Sequence, residues 1–217
     1  MRILIVGSTG GTGRHLVAQA LERGHHVTAL ARDPGKLGLA HDRLTVRQGD
    51  ILVPATLLSA AENQDAVLCA VGHMKFLRPT RILSSGTRNL IEAMQRHGVQ
   101  RLVCETSLGV GSSFGLLGLY YTLFVVPFIL QFYYWDKHRQ ESLIRASSLR
   151  WTIVRPATLT NGPKRGGYQH GEDVGSWLLT LRISRADTAD FMLNQLESDS
   201  YLYRTPGIAY LPRWLAA

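Results

Sequence analysis

The sequence predicts an α/β fold: a single doubly wound parallel sheet with helices on both faces. Two observations predict it. Apolar strand-like runs alternate with amphipathic helical stretches almost from end to end of the 217 residues, and repeated βα units of that length require parallel strands joined by right-handed crossovers. A chain of this size also buries one sizeable core and hardly two. Residues 1–217 are therefore read as one domain.

Arg2–Val6 reads as a buried strand, and Gly13–Arg23 as a helix with Leu16, Val17, Ala20 and Leu21 on its apolar face. His26–Ala31 is the second strand. Asp33-Pro34 then has the form of an N-cap followed by Pro at the first helical position, opening a short helix through Leu37. Leu44–Gln48 is the third strand, Pro54–Ala61 a helix and Asp65–Val71 the fourth strand. A long helix over Thr80–His97 ends at Gly98. A strand at Arg101–Glu105, a helix running through Ala146 and a strand at Trp151–Arg155 follow. The tail predicts an extended pair near Tyr168 and over Trp177–Ile183, a helix over Asp187–Leu196 and a short strand near Tyr201–Arg204.

Hydrophobic residues make up 45% of the chain and charged ones 18%, which excludes intrinsic disorder. The net charge of +8 comes mostly from arginines scattered without a basic run or basic-aromatic interleaving. That scatter argues against nucleic acid. Cys69 and Cys104 sit in apolar runs without metal-ligand spacing, so they read as buried free thiols and no metal site is expected. The chain opens directly on a strand where a secretory leader would need a longer apolar core, so a cytoplasmic protein is expected.

One segment stands apart. Leu108 to Trp135 contains no charged residue, and Leu116–Tyr134 is long enough to span a bilayer. Against spanning stand Pro127, Gln131, four glycines, and tyrosines distributed through the run, with αβ units on both sides. Lying on a membrane surface is the second reading. The favoured one is a mostly helical segment that packs on the sheet and walls an apolar substrate pocket.

The turn Gly7-Ser8-Thr9-Gly10-Gly11-Thr12-Gly13 joins the first strand to the first helix. Glycines at three-residue intervals in this context let the chain turn tightly, let backbone N–H groups approach a pyrophosphate, and let the helix lie close on the sheet. The expected architecture is thus Rossmann-like and the expected ligand a dinucleotide. About 20 residues on, where an acid would hold a ribose hydroxyl and an Arg would accept a 2′-phosphate, the chain reads Ala31-Arg32-Asp33 with Lys36 one turn later. Asp33 is spoken for as an N-cap, so Arg32 and Lys36 are assigned to the 2′-phosphate and NADP(H) is favoured over NAD(H). Arg14 either joins that clamp or is solvated. Asp50 and Ile51 are expected to flank the adenine, unless Asp50 caps the following helix. Ala70, Val71 and Gly72 carry the cofactor toward its nicotinamide.

Together with Gln48-Gly-Asp50, Gln64-Asp-Ala-Val67, Gly86-Thr-Arg-Asn89, Thr106-Ser107, Trp151-Thr-Ile-Val-Arg-Pro156 and Ile183-Ser-Arg-Ala-Asp187, these residues resemble the atypical short-chain dehydrogenase/reductases. The likeness is to the small NAD(P)H-binding biliverdin reductase B/flavin reductase branch and covers nearly the whole chain. It implies that Thr106 and Ser107 lie beside the nicotinamide, and that Pro156 and Thr158 touch its end. The branch carries an active-site histidine where counting back from the Trp151 strand puts Lys137, and its substrate-side loop differs from the uncharged segment here.

Tyr133-Tyr-Trp-Asp-Lys137 fits the spacing that puts a phenol and an ammonium on one helix face. Lys137 could hold the nicotinamide ribose, Tyr133 exchange the substrate proton, and Ser107 bond the carbonyl oxygen. Ser107, Tyr133 and Lys137 are the expected catalytic set. Three alternatives stay open: Tyr133 is only a packed aromatic, related proteins put their aromatic nearer Tyr134, and Lys137 simply pairs with Glu141. His73 and His138 read as polar rim residues. The expected function is an NADP(H)-dependent oxidoreductase for an apolar planar or carbonyl-bearing small molecule. The alternatives are a non-catalytic nucleotide sensor resembling NmrA, or an epimerase or dehydratase retaining its cofactor.

Overall fold

The computed structural model of the chain describes residues 1–212. Ten strands follow the order β1 (Arg2–Val6), β2 (His26–Ala31), β3 (Leu44–Gln48), β4 (Ala66–Cys69), β5 (Arg101–Glu105), β6 (Arg150–Pro156), β7 (Thr158–Thr160), β8 (Gln169–Gly171), β9 (Arg182–Ser184) and β10 (Gly207–Ala209). The α-helices are α1 (Gly11–Glu22), α2 (Pro54–Ala61), α3 (Ile82–Arg96), α4 (Gln131–Arg145) and α5 (Arg185–Asn194). Eight strands form one sheet in the order β3-β2-β1-β4-β5-β6-β10-β8, parallel except for the β10–β8 edge. This is the Rossmann-like doubly wound sheet, and its order reverses between β1 and β4, the switch point where such folds bind ligands.

The period-2 alternation of β1 divides the core. Ile3 and Ile5 face the layer built by Leu16, Val17 and Ala20 of α1 together with Phe191 and Met192 of α5. Leu4 and Val6 face the opposite layer, where Leu57 of α2, Leu90 and Met94 of α3 and Ile144 of α4 pack. A strand buried on both faces needs a continuous apolar run, which is why Ile3–Val6 contains no polar residue.

Several expectations are corrected. Asp33 precedes the short 3-10 turn Pro34–Lys36, but its side chain makes no capping bond and pairs with Lys36 at 3.4 Å instead. β8 and the Trp177–Ile183 stretch do not pair with each other. β8 pairs with β10, and the latter stretch contributes only its end, as β9, to a small parallel pair with β7. The last strand lies at Gly207–Ala209, because Tyr201–Tyr203 is a turn with Tyr203 in a left-handed conformation (φ 58°).

The uncharged segment splits in two. Leu108, Val110, Leu117 and Tyr134 join the core as expected. Tyr121–Leu130, around Pro127, is instead a π-helical stretch in which no residue is buried. Proline lacks the N–H that an α-helical ladder needs, which favours such a local rearrangement. No helix among the described residues is long and apolar enough to cross a membrane.

Gly13 carries the closest packing of the fold, since a Cβ there would lie 2.0 Å from the Gly7 carbonyl oxygen. Gly13→Ala must push α1 off β1, a backbone shift that costs about 1–3 kcal/mol or more. Urea unfolding should show that loss, whereas Gly38→Ala, whose added methyl meets nothing within 4 Å, should lose less, its only penalty being the positive φ.

Candidate active site and nucleotide cleft

At the carboxyl end of β1, Gly7 adopts φ 85° and its carbonyl accepts from Gly10 N–H at 2.9 Å, which closes the turn. Gly10 and Gly11 are exposed at the start of α1, whose leading N–H groups have no helical partner. Ser8 is buried and donates to the Leu30 carbonyl at 2.8 Å, tying the turn to β2. Thr9 is half-buried. The Thr12 side chain points inward to Glu105 at 3.0 Å, so only its backbone can serve a ligand at the turn.

Arg14 is neither a free clamp nor merely solvated. Its guanidinium donates to the carbonyls of Thr9 (3.2 Å), Leu37 (3.5 Å) and Lys36, bracing the glycine turn against the loop after β2. Arg32 projects from that loop, exposed, and Lys36 leans on Asp33. Asp50 does not cap α2, whose N-cap is Val53; its carboxylate accepts from Leu52 N–H at 2.9 Å. Ile51 is buried against Gly86 of α3, with its carbonyl accepting from Asn89. Ala70 packs over Gly7, Val71 is half-buried, and Gly72 is exposed at the end of β4.

α4 delivers the polar residues beside β5. Lys137 is 3% exposed and donates to the Thr106 carbonyl at 2.9 Å. Its ammonium lies 5.1 Å from the Tyr133 ring centroid. Tyr133 in turn reaches Gly72, where an added Cβ would sit 3.3 Å from the phenolic oxygen. The structure therefore brings Tyr133 and Lys137 together, but not Ser107 with Tyr133. The Ser107 hydroxyl bonds Tyr134 at 3.0 Å, and Tyr134 also donates to the Leu108 carbonyl at 3.1 Å. Pro156 is buried and its carbonyl accepts from Leu108 N–H. Thr158 follows at the β6 terminus, and its buried hydroxyl oxygen has no hydrogen-bond partner. His73 stacks edge-on against Tyr133 at 4.9 Å and bonds Thr80, consistent with a rim residue; His138 is exposed.

Lys137 does not pair with Glu141. Glu141 faces Arg155 of β6 in a bidentate pair at 2.9 and 2.6 Å, with both side chains almost fully buried. Thr106 donates to the same carboxylate at 2.8 Å, and Arg155 reaches Ser112 at 2.8 Å. Asp136, next to Lys137, is also inside: it accepts from Leu83 and Ser84 N–H groups and caps the positive end of α3. A charged stretch following an uncharged one reads as a surface patch in sequence, yet every one of Asp136, Lys137 and Glu141 is buried.

Burial pushes the Glu105 carboxyl above its usual range, against the pull of Lys137 and Thr12. Burial also opposes the Lys137 ammonium, but Tyr133 and Glu105 outweigh it and hold the lysine pKa above its ordinary value. Burial drives the Tyr134 phenol up to about 12 despite its bond to Ser107. Tyr134 is thus a protonated donor at neutral pH. For Glu141 the burial penalty is overcome by Arg155 and Thr106, which hold its carboxyl below the usual range.

Sequence reasoning missed Glu105, Tyr134's partner role and Arg185. The signal for Glu105 was a lone acid ending an apolar strand. Arg185, at the first turn of α5, lies across Gly11: a Cβ on that glycine would be 2.4 Å from the arginine Cδ. Its motif Ile183-Ser-Arg-Ala-Asp187 is visible, but only the fold reveals that it meets the glycine turn.

A strand-turn-helix at the switch point, open N–H groups and flanking arginines define a dinucleotide-binding protein. The profile of the family described as NAD(P)H-binding matches residues 7–199, and the chain belongs to that family. An uncharacterized chloroplastic protein of Arabidopsis thaliana is 32% identical over 178 residues, 76% of this chain and 61% of that protein. The chain thus spans under two thirds of that relative. Among solved structures, the oxidoreductase ylbE from Lactococcus lactis superposes with a TM-score of 0.81 at 20% identity, over 97% of this chain and 91% of that one. The anaerobilin reductase ChuY from Escherichia coli O157:H7 superposes with a TM-score of 0.79 at 20% identity, over 96% and 97%. At these identities the two structures establish the shared Rossmann-like fold.

Removing one partner from the Glu141–Arg155 pair leaves a buried guanidinium uncompensated, at a cost of about 3–5 kcal/mol. Glu141→Gln should lose that much in urea unfolding at pH 7. A carboxyl depressed in the folded state stabilises above its unfolded pKa, about 4.3, and loses that contribution as pH falls through the depressed value. The gap between wild type and Glu141→Gln should therefore narrow below about pH 4; a gap constant with pH would contradict the ion pair.

Proposed function

We propose that this protein is an NADP(H)-dependent reductase for an apolar planar or carbonyl-bearing small molecule of the flavin, biliverdin or quinone type. The observation that carries the reading is the buried Lys137 ammonium at the end of β5, in contact with the Tyr133 ring. An ammonium has three donors and the Thr106 carbonyl takes one, which leaves capacity for ribose hydroxyls. When bound, the nicotinamide supplies the hydride. The fold likeness to an anaerobilin reductase supports the apolar substrate class by analogy.

In this reading Gly7 makes the tight turn, Gly10 lets the backbone approach the pyrophosphate and Gly13 lets α1 lie close, while Thr9, Gly11 and Thr12 offer backbone N–H groups and Arg185 adds charge over the turn. Arg32 takes the 2′-phosphate, and Lys36 joins it by exchanging Asp33. Asp50 and Ile51 flank the adenine, and Ala70, Val71 and Gly72 line the path inward. Thr106, Pro156 and Thr158 border the nicotinamide, with the orphaned Thr158 hydroxyl suited to a carboxamide. Tyr133 exchanges the substrate proton at its phenolic oxygen. Ser107, backed by the protonated Tyr134, bonds the substrate oxygen. The half-buried side of residues 108–135 excludes water.

Calorimetric titration should give tighter binding for NADPH than for NADH, and Arg32→Ala should erase about 10- to 100-fold of that preference by removing a charged hydrogen bond. Equal affinity for both nucleotides in wild type would refute the 2′-phosphate assignment. With a panel of flavins, quinones and carbonyl compounds, wild type should oxidise NADPH and Tyr133→Phe should reduce kcat by about 10²- to 10⁴-fold while binding NADPH normally. Tight binding with no oxidation across the panel would favour a nucleotide sensor instead.

A further inference from the structure

The π-helical stretch presents large apolar side chains to solvent, with Phe128 73% and Phe124 57% exposed. Its neighbours extend the face. The Leu119 N–H donates to the Leu178 carbonyl and the Ser176 N–H to that of Leu116, so the 176–178 loop lies beside the stretch with Trp177 69% exposed. Tyr120 stacks on Phe124, and Trp135 is exposed one turn into α4. On the other side Phe76 packs on Tyr133, bringing in a loop whose Met74 and Leu77 are exposed. Monomeric soluble proteins rarely leave so many large apolar groups together in water.

Positive charge predominates on the elements that lead into this face. Between residues 71 and 140 the exposed cations are Lys75, Arg78, Arg81, Arg88, Arg96 and Arg139, while the acids Glu105 and Asp136 are buried and Glu92 alone is exposed. Lys75 and Arg78 share the loop of Met74 and Leu77, and Arg139 lies four residues beyond Trp135, on the same side of α4. Arg139 also joins Arg81 and Arg88 in a groove of about 610 Å³ between α3 and α4, lined further by Ser84, Ser85 and Ser142 and by no acid. None of these three arginines forms an ion pair among the described residues. Near Trp177 the acids are Glu172, paired with Arg204, and Asp173.

We infer that this face docks on an anionic lipid bilayer, with Phe124 and Phe128 entering the acyl boundary and Arg81, Arg88 and Arg139 meeting lipid phosphates. An apolar element rimmed by Trp and Tyr matches the interfacial zone, where amphipathic rings concentrate. A predominance of exposed Arg and Lys beside such an apolar face is the charge complement of an anionic leaflet. The membrane-surface reading that the sequence placed second is favoured by the exposure of Tyr121–Leu130. The inference does not depend on the reductase reading, because the groups assigned to the bilayer, Phe124, Phe128, Arg81, Arg88 and Arg139, are exposed and have no role in the cleft.

Co-sedimentation of the full chain with vesicles of phosphatidylcholine alone, and of phosphatidylcholine with one third phosphatidylglycerol, tests it. The protein should pellet with the anionic vesicles, and high salt should weaken the association. Phe124→Ser/Phe128→Ser should bind about tenfold more weakly or worse, the effect of losing 1.4 kcal/mol or more of apolar burial, while keeping its melting temperature and NADPH affinity. Arg81→Gln/Arg139→Gln should reduce the preference for anionic over neutral vesicles. Absence of pelleting, or equal pelleting with both vesicle types, would overturn the proposal. So would light scattering that reveals self-association abolished by the phenylalanine variant without any vesicle binding, which would assign the face to a second copy.

Discussion

The Glu141–Arg155 pair is the buried ionic joint among three elements that the β5–β6 backbone ladder and the Lys137–Thr106 bond also connect. It anchors α4 to β6, and through Thr106 it reaches the end of β5. Two charges inside a low-dielectric core tolerate little displacement, since each loses solvation that its partner must largely offset. That constraint sets the rotation of α4. Lys137, one turn before Glu141, must then face the sheet and donate to Thr106. Tyr133 and Tyr134, at the preceding turn, fall on either side of that line, one reaching Gly72 and the other Ser107. Arg155 also holds Ser112, so the segment leading to the exposed apolar face is tied to the same joint.

A second constraint is backbone approach at the switch point. Gly7, Gly11 and Gly13 leave no room for a Cβ because the Ala70 carbonyl just after β4, the Arg185 side chain and the turn's own backbone occupy it. The cleft is therefore defined on one side by peptide groups and on the other by the side chains of α4. Positive charge divides accordingly. Arg14 stiffens the turn, Arg32 and Lys36 stand at its edge, and Arg155 neutralises a buried acid. The exposed arginines of α3 and α4 belong to a different surface.

Most of the sheet was legible: β1, β2, β3 and β5 match their sequence-derived bounds, the inner strands through apolar runs that burial on both faces demands and the edge strand β3 through alternation. The tail was less legible. β7 to β10 are three-residue strands whose pairing depends on loops that meet in space, so local pattern carries little of it. In the site, the glycine turn follows from spacing alone. The tyrosine–lysine contact also follows, because residues four apart on a helix are neighbours. Ser107's bond to Tyr134 does not follow, since it joins β5 to α4 across 27 positions.

By itself the sequence determined the doubly wound sheet, the nucleotide turn and the presence of an uncharged segment, because periodicity and glycine spacing act over a few residues. The tertiary structure decided what the charges and the apolar residues do. Asp136, Lys137 and Glu141 form a polar run that reads as surface, yet each finds a partner on another element and is buried. Tyr121–Leu130 reads as a segment packed on the sheet, yet only Tyr121, Val126 and Leu130 lean on the core while Phe124 and Phe128 face solvent. The reason is common to both: whether a group is solvated depends on distant segments that supply or withhold a partner, and that supply is not encoded within any local window.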